Sequence, residues 1–306
     1  MDLTEQSEGN MILWIGAVTQ GLVYAFLALG VYLTFRILNF PDLTVDASLV
    51  TGAAVTGILM IKGVHPALCM LFAILAGCIA GAITGFIHTK FKINPLLSGI
   101  LTMTALYSIN LHIMGRSNLP LLREKSILTI LHNLNLPFSK GFSTLIFFLV
   151  LVIIIRFIVV WFLRTDLGLA FRATGDNPDM ITAQGVNINA TKILGLALAN
   201  GLVAFSGSLI AQYQGFADVG MGIGMLVAGI ASVVMGETIS AKKNISYIVS
   251  AVIFGSIVFR LLIALALKAG LNPIDLKLIT AAFVLLALAL PQIRKFMKPR
   301  IDAKRH

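Results

Sequence analysis

Residues 39–46 read Asn39-Phe40-Pro41-Asp42-Leu43-Thr44-Val45-Asp46, and residues 218–224 read Asp218-Val219-Gly220-Met221-Gly222-Ile223-Gly224. Each stretch is a polar break that precedes a short apolar helix. Proline removes a backbone donor and glycine loosens a helix, so the carbonyls and N–H groups bared there need water, protein or a solute as partners. The two breaks occupy matching places in a repeat. Gly21-Leu22-Val23 with Phe26 answers to Gly201-Leu202-Val203 with Phe205, and Phe40-Pro41-Asp42-Leu43 to Phe216-Ala217-Asp218-Val219. Leu49-Val50-Thr51-Gly52 answers to Leu226-Val227-Ala228-Gly229, and Asn94-Pro95-Leu96 to Asn272-Pro273-Ile274. Four collinear matches at nearly constant offset exceed what apolar composition alone supplies.

The rest of the chain sets these repeats in lipid. Of 306 residues, 58% are hydrophobic and 12% charged, too little polar surface to cover a soluble globule. A bilayer core about 30 Å thick needs roughly 20 apolar residues per helix. Nine stretches meet or approach that length, near residues 11–37, 43–61, 66–88, 95–115, 143–163, 189–212, 221–236, 246–267 and 274–290. The expected fold is therefore an all-α integral membrane protein of eight to ten spans, forming one domain over residues 1–306. Repeat one covers about 11–115, a connecting helix 143–163, a polar segment 164–188, repeat two about 189–290, and a basic tail 291–306.

The basic tail, with Arg294, Lys295, Lys298, Arg300, Lys304 and Arg305, belongs in the cytoplasm by the positive-inside rule. Counting back through nine spans also places Lys242–Lys243, residues 164–192 and Lys90–Lys92 inside, and the acidic N-terminus outside. The main strain on this count is the loop at 116–142, which carries Arg116, Arg123, Lys125 and Lys140 yet is placed outside. Helices 1–4 and 6–9 then cross in opposite senses, so the repeat is inverted, an arrangement typical of transport proteins whose pathway lies between the halves. The net charge of +10 follows from topology, with contact to membrane lipid, and does not indicate nucleic acid. Cys69 and Cys78 fall in one apolar stretch without metal spacing and are expected to pack as small core residues.

Within the breaks, Asn39, Asp42, Thr44, Asp46, Asp218, Gly220 and Gly222 are candidates to line a translocation path, together with Asn200 in the sixth stretch. Asp42, Thr44, Asp46 and Asp218 are equally suited to cap half-helices. Arg260 lies deep in an apolar helix, where a guanidinium needs a cavity or a carboxylate; Asp275 is the expected partner, a solute carboxylate the alternative. Arg156, nearer a helix end, is expected to snorkel.

The segment RTDLGLAFRATGDNPDMITAQGVNINATK, residues 164–192, does not span. Asn177 fits an N-cap, Pro178 the first helical position, Asp179 the first turn and Gly185 the left-handed position that ends a short helix. With Met180 and Ile181 pointing outward, that helix suits the cleft of a partner protein; resting on lipid headgroups is the other reading.

The arrangement R-T-D-L-G-x-x-x-R-A-T-G-D-N-P-x-M, followed by Gly185-Val186, Asn200-Gly201-Leu202 and the run Gln212 to Gly222, resembles the branched-chain amino acid and ribose type of ABC importer permease over most of the chain. FPDLTVDAS and QGFADVGMGIGMLVAGIASVVMGE are most similar to its amino acid uptake subgroup, including tryptophan-type systems. The resemblance implies that residues 174–185 form a coupling helix gripped by an ATP-binding subunit, with Arg172, Thr174, Gly175, Asp176, Asn177, Pro178, Met180, Ile181 and Gly185 as its contact residues. It also implies a second permease, identical or different, an extracytoplasmic substrate-binding protein, and a bacterial plasma membrane location.

The chain carries no Walker pattern, so ATP and magnesium are expected on the partner subunit and no cofactor on this chain. His65, His88, His112, His132 and His306 are scattered, and no triad, metal cluster or carboxylate pair supports catalysis. A secondary transporter or channel independent of ATP is the rival reading, weakened by the lack of acidic residues in mid-helix. An amino acid, large and apolar or aromatic, is the cargo implied by the resemblance; sugars and nucleosides stay open.

Overall fold

The computed structural model describes residues 3–134, 137, 139–239, 244–272 and 275–297. Lys242, Lys243, Pro273, Ile274 and the tail from Lys298 lie outside the described residues, as do the side chains of Arg294 and Lys295.

Helix α1 (Leu3–Val31) widens at its end into a π-turn, Tyr32–Ile37, before the first break. Then come α2 (Thr44–Ile61), α3 (Pro66–Phe91), α4 (Pro95–Met114), strand β1 (Asn118–Pro120), α5 (Ile127–His132), α6 (Lys140–Arg164), α7 (Asp166–Asp176) and α8 (Pro178–Ala183). The second half holds α9 (Ile188–Gln214), strand β2 (Phe216–Asp218), a 3-10 turn (Val219–Gly222), α10 (Met225–Ile239), α11 (Ile245–Lys268) and α12 (Leu276–Met297). Eight helices among the described residues are long and apolar enough to span; α12 adds a shorter apolar run, Lys277–Leu286. That agrees with the expected count of about nine.

The helix starts follow from local chemistry. His65, Asn94, Ser139 and Asn187 each accept a first-turn N–H, and Pro66 and Pro95 occupy first positions where the missing N–H costs nothing. Lipid as solvent inverts the usual surface. On α3 Leu68, Leu71, Phe72, Leu75 and Ile79 form an exposed stripe at helical spacing, and on α6 Ile153, Ile154, Phe157, Ile158 and Trp161 form another.

The repeat is visible in the packing. Helix α3 of the first half packs along α9 of the second, and α11 of the second packs along α1 of the first. These are equivalent pairs, because α1 corresponds to α9 and α3 to α11. Helices α2 and α9 are the most enclosed spans. Hydrogen bonds tie the centre: Thr56 donates to Ser208 Oγ at 2.7 Å, Ser206 to the Val23 carbonyl at 2.8 Å, and Ser256 to the Gly21 carbonyl at 2.9 Å. Each such bond contributes only about 0.6 kcal/mol within a membrane, so close backbone packing carries most of the association. Gly81 shows the constraint, since a Cβ there would collide with the Leu196 carbonyl on α9. Gly81→Leu is expected to force α3 from α9 and abolish the monodisperse peak of the detergent-extracted protein in size-exclusion chromatography; a parental elution profile would refute the packing argument.

The cysteines pack as expected. Cys69 donates Sγ–H to the Val64 carbonyl at 3.6 Å, and Cys78 fills the space opposite Gly201. Arg156 donates from Nε and Nη2 to Ser250 at 2.6 Å and Ser246 at 2.9 Å, two hydroxyls one turn apart in the first turns of α11. One arginine expectation needs correction. Arg260 forms no ion pair with Asp275 among the described residues. Its guanidinium lies 3.5 Å from the centre of the Tyr24 ring on α1, where the π face replaces the carboxylate, and its Nε is left without a hydrogen-bond partner. Asp275 is exposed, beyond the end of α11.

Candidate functional site

The two breaks are built alike. Asn39, with φ of 52°, reverses the chain before Phe40, and Gly215, with φ of 76°, does so before Phe216. Asp42 then accepts the Thr44 N–H at 2.9 Å, and Asp218 accepts the Gly220 N–H at 2.7 Å. Corresponding carboxylates thus hold corresponding turns, as the sequence matches required.

Beyond this shared frame the breaks differ. Asp42 is fully buried, and its second oxygen accepts from Asn200 Nδ2 at 2.7 Å, while Thr44 shares a 2.8 Å hydrogen bond with Thr84. Asp42, Thr44 and Asn200 therefore form a sealed knot between α2, α3 and α9. Asp218 is half-exposed and its Oδ2 accepts from Asn118 on β1 at 3.1 Å. Strand β1 pairs antiparallel with β2 in the register Asn118 to Asp218, Leu119 to Ala217 and Pro120 to Phe216. The sequence reading left residues 116–142 as a loop; three-residue strands and the six-residue α5 carry too little periodicity to be found that way.

Asp46 joins the halves. Its carboxylate accepts the N–H groups of Gly224 at 3.0 Å and Leu226 at 2.7 Å, so an acid on α2 caps the start of α10. Gly222 lies against the Asp46 carbonyl, where any Cβ would collide. The N-terminal ends of α2 and α10 therefore meet. Beside them a cavity of about 40 Å³ is lined by Asp46, Asn110, Tyr107, Met103, Gly222 and Ile223. The Asn110 side chain, 1% exposed, donates to the Ala47 carbonyl at 3.3 Å, and its oxygen has no hydrogen-bond partner among the described residues.

A much larger open cavity, about 840 Å³, lies where the π-turn and Asn39 face α7, the end of α10 and α11. Arg172, Gly175 and Asp176 line it. Of the path candidates, Asn39 thus faces this cavity, Asp46 and Gly222 face the small one, Gly220 is exposed, and Arg260 lines neither.

The polar segment holds two helices where the sequence reading expected one. Thr165 caps α7 by accepting the Gly168 N–H at 3.2 Å, and Thr174 is buried, donating to the Ala170 carbonyl at 2.7 Å. Gly175 packs directly on the Ile37 carbonyl, so α7 touches the first break. Helix α8 follows its expected punctuation. Asn177 Oδ1 accepts the Met180 N–H at 3.0 Å, Pro178 opens the helix, and Gly185, with φ of 86°, closes it. The Gly185 and Val186 N–H groups donate back to Thr182 and Ile181, a Schellman ending. Met180 is exposed as expected, whereas Ile181 is only 5% exposed. Consecutive residues on a helix lie about 100° apart, so a short helix seated by one of them turns the other outward.

The model of the "Branched-chain amino acid transport system / permease component" family matches residues 13–289. The chain belongs to this family of ABC transporter permeases. The permease is 43% identical over 298 residues to the tyrosine transport system permease protein of Clostridioides difficile, covering 95% of this chain and 98% of that one. It is 36% identical over 283 residues to the uncharacterized protein RP368 of Rickettsia prowazekii, covering 91% and 98%. The ribose import permease protein RbsC of Bacillus subtilis is 24% identical over 225 residues, covering 73% of the permease and 65% of that chain. No solved structure matches the permease.

Sequence reasoning missed three polar features of the site: Asn110, Thr84 and the ion pair of Arg36 with Glu237 at 2.6 Å. The last two residues stand 201 positions apart at the ends of different spans, and neither carries a local signal of pairing.

Proposed function

We propose that the permease imports tyrosine or a related aromatic amino acid across the bacterial inner membrane, by alternating access driven by ATP hydrolysis on a separate subunit. The observation that carries this is the 43% identity, over nearly the whole of both chains, to a tyrosine transport system permease. Two permease chains, the same or different, enclose the path; an ATP-binding cassette subunit with bound ATP and magnesium grips α8; and an extracytoplasmic binding protein delivers the cargo. The N-terminus lies outside and the C-terminus in the cytoplasm.

The geometry supports division of labour. Asp42, Thr44 and Asn200 hold the first break rigid, while Asn39, Asp46, Gly220 and Gly222 face the path. The cavity beside Asp46, about 40 Å³, admits a few water molecules and no amino acid, so passage there requires movement. Helix α8 presents Met180 to the ATPase, backed by the buried Ile181, and Arg172, Thr174, Gly175, Asp176, Asn177, Pro178 and Gly185 set its place.

The deciding experiment is ATPase activity of the permease reconstituted in lipid with its ATP-binding subunit, titrated with loaded binding protein and a panel of amino acids, sugars and nucleosides. Tyrosine or another aromatic amino acid is expected to give the largest stimulation. Stimulation by a sugar alone, or gradient-driven uptake by the isolated permease, would overturn the proposal. Cysteines at 39 and 220 are expected to react with a water-soluble thiol reagent, and a cysteine at 44, fully buried, to stay protected in the state described; the reverse pattern would misplace the path.

A further inference from the structure

The large cavity holds a charge pair that the fold does not need. Arg36, on the π-turn ending α1, donates Nε–H to Glu237 Oε1 at 2.6 Å, and the two side chains are 61% and 29% exposed. A pair so open to solvent contributes little to stability. It is also incompletely used. Arginine has five N–H donors in a rigid fork, of which Arg36 spends one, and Glu237 Oε2 has no partner among the described residues. The wall also carries Asn39, Arg172 and Asp176, and beside these polar groups it has an apolar, partly aromatic face: Tyr32 and Phe35 from the π-turn, Leu169 from α7, and Ile245 and Ile248 from α11.

We infer that this cavity is a binding site for a free zwitterionic α-amino acid with an aromatic or large apolar side chain, separate from the small cavity at Asp46. The carboxylate takes the free guanidinium edge of Arg36, the ammonium takes the free oxygen of Glu237, and the side chain lies against Tyr32, Phe35 and Ile248. A neutral sugar or nucleoside offers neither charge. The volume of about 840 Å³ leaves ample room. Helix α7 forms part of the wall and leads directly into α8, so an amino acid bound here lies among the π-turn, the end of α10 and the coupling segment. The identity of the side chain rests on the proposed amino acid cargo, and the site then belongs to the face where cargo is released and accumulates.

The test is equilibrium binding of radiolabelled L-tyrosine to the permease–ATPase complex in lipid nanodiscs without binding protein. Competitors are L-tryptophan, tyramine, which lacks the carboxylate, and 3-(4-hydroxyphenyl)propanoate, which lacks the ammonium. Saturable binding is expected, with both truncated analogues about tenfold or more weaker, as loss of a charge-assisted contact implies. Arg36→Gln should erase the preference over tyramine, and Glu237→Gln the preference over the propanoate. Ile248→Trp, which adds bulk on the apolar face and leaves both charged residues in place, should weaken tyrosine binding about tenfold. Unchanged preferences in both charge variants, or no saturable binding, would overturn the inference. Tyrosine-stimulated ATPase in the absence of this binding would leave the cargo assignment standing alone, whereas binding that persists when only a sugar is transported would overturn the cargo assignment and keep the site.

Discussion

Asp46→Ala is expected to destabilise the permease by about 3 kcal/mol and to lower stimulated ATPase activity at least about tenfold. The carboxylate is 9% exposed and accepts two backbone N–H groups at the start of α10. Those donors are helix-terminal, with no intrahelical acceptor of their own, and each left unpaired away from water costs roughly 1–3 kcal/mol. Alanine also removes the negative charge that the helix end favours. Asn keeps one acceptor oxygen but sets an amide donor against the second N–H, so Asp46→Asn should show about half the loss. Denaturant unfolding of nanodisc-held protein and ATPase titration measure the two effects. Parental stability in Asp46→Ala would mean that α10 is held by its apolar packing alone.

Asp46 also marks how far the sequence could be read. The breaks, the repeat and the spans were legible because each rests on short-range pattern: a proline or glycine inside apolar runs, and a motif recurring at fixed offset. Asp42 and Asp218 were identified as possible caps on the same basis, and both bond to the N–H two residues on. What Asp46 caps was not legible, because its partners lie 178 and 180 positions away. Arg260 failed for a related reason. A buried cation calls for a counter-charge, and Asp275 was the nearest in sequence, yet Tyr24 from the first helix supplies a π face instead. Local chemistry fixes which groups need partners; only the packing of α1 on α11 decides which partner arrives. Helix α7 was missed because Gly168 and Gly175 both speak against a helix locally. Each sits where a side chain would strike backbone, Gly168 at Phe162 and Gly175 at Ile37, so tertiary packing selects glycine there at the expense of helix propensity.

That last contact supports the second large effect. Gly175→Val is expected to leave the permease folded in the membrane while lowering amino acid uptake at least about tenfold, with ATPase activity no longer responsive to loaded binding protein. A Cβ at 175 would collide with the Ile37 carbonyl and crowd Leu38, at the end of the π-turn before the first break. Overpacking of this kind costs typically about 1–3 kcal/mol. Helix α7 lies outside the spans, so the cost is met by moving α7 away from Ile37 rather than by unfolding the bundle. The same 1–3 kcal/mol is the usual size of a coupling free energy between two sites, enough to disconnect α8 from the break. Gly175→Ala, with one methyl, should show the same defect at smaller amplitude. Uptake into proteoliposomes, measured beside ATPase rate on the same preparations, separates the possibilities. Loss of both activities together with loss of the folded protein would place Gly175 in stability alone, and full uptake in Gly175→Val would show that force passes from α8 to the breaks by another route.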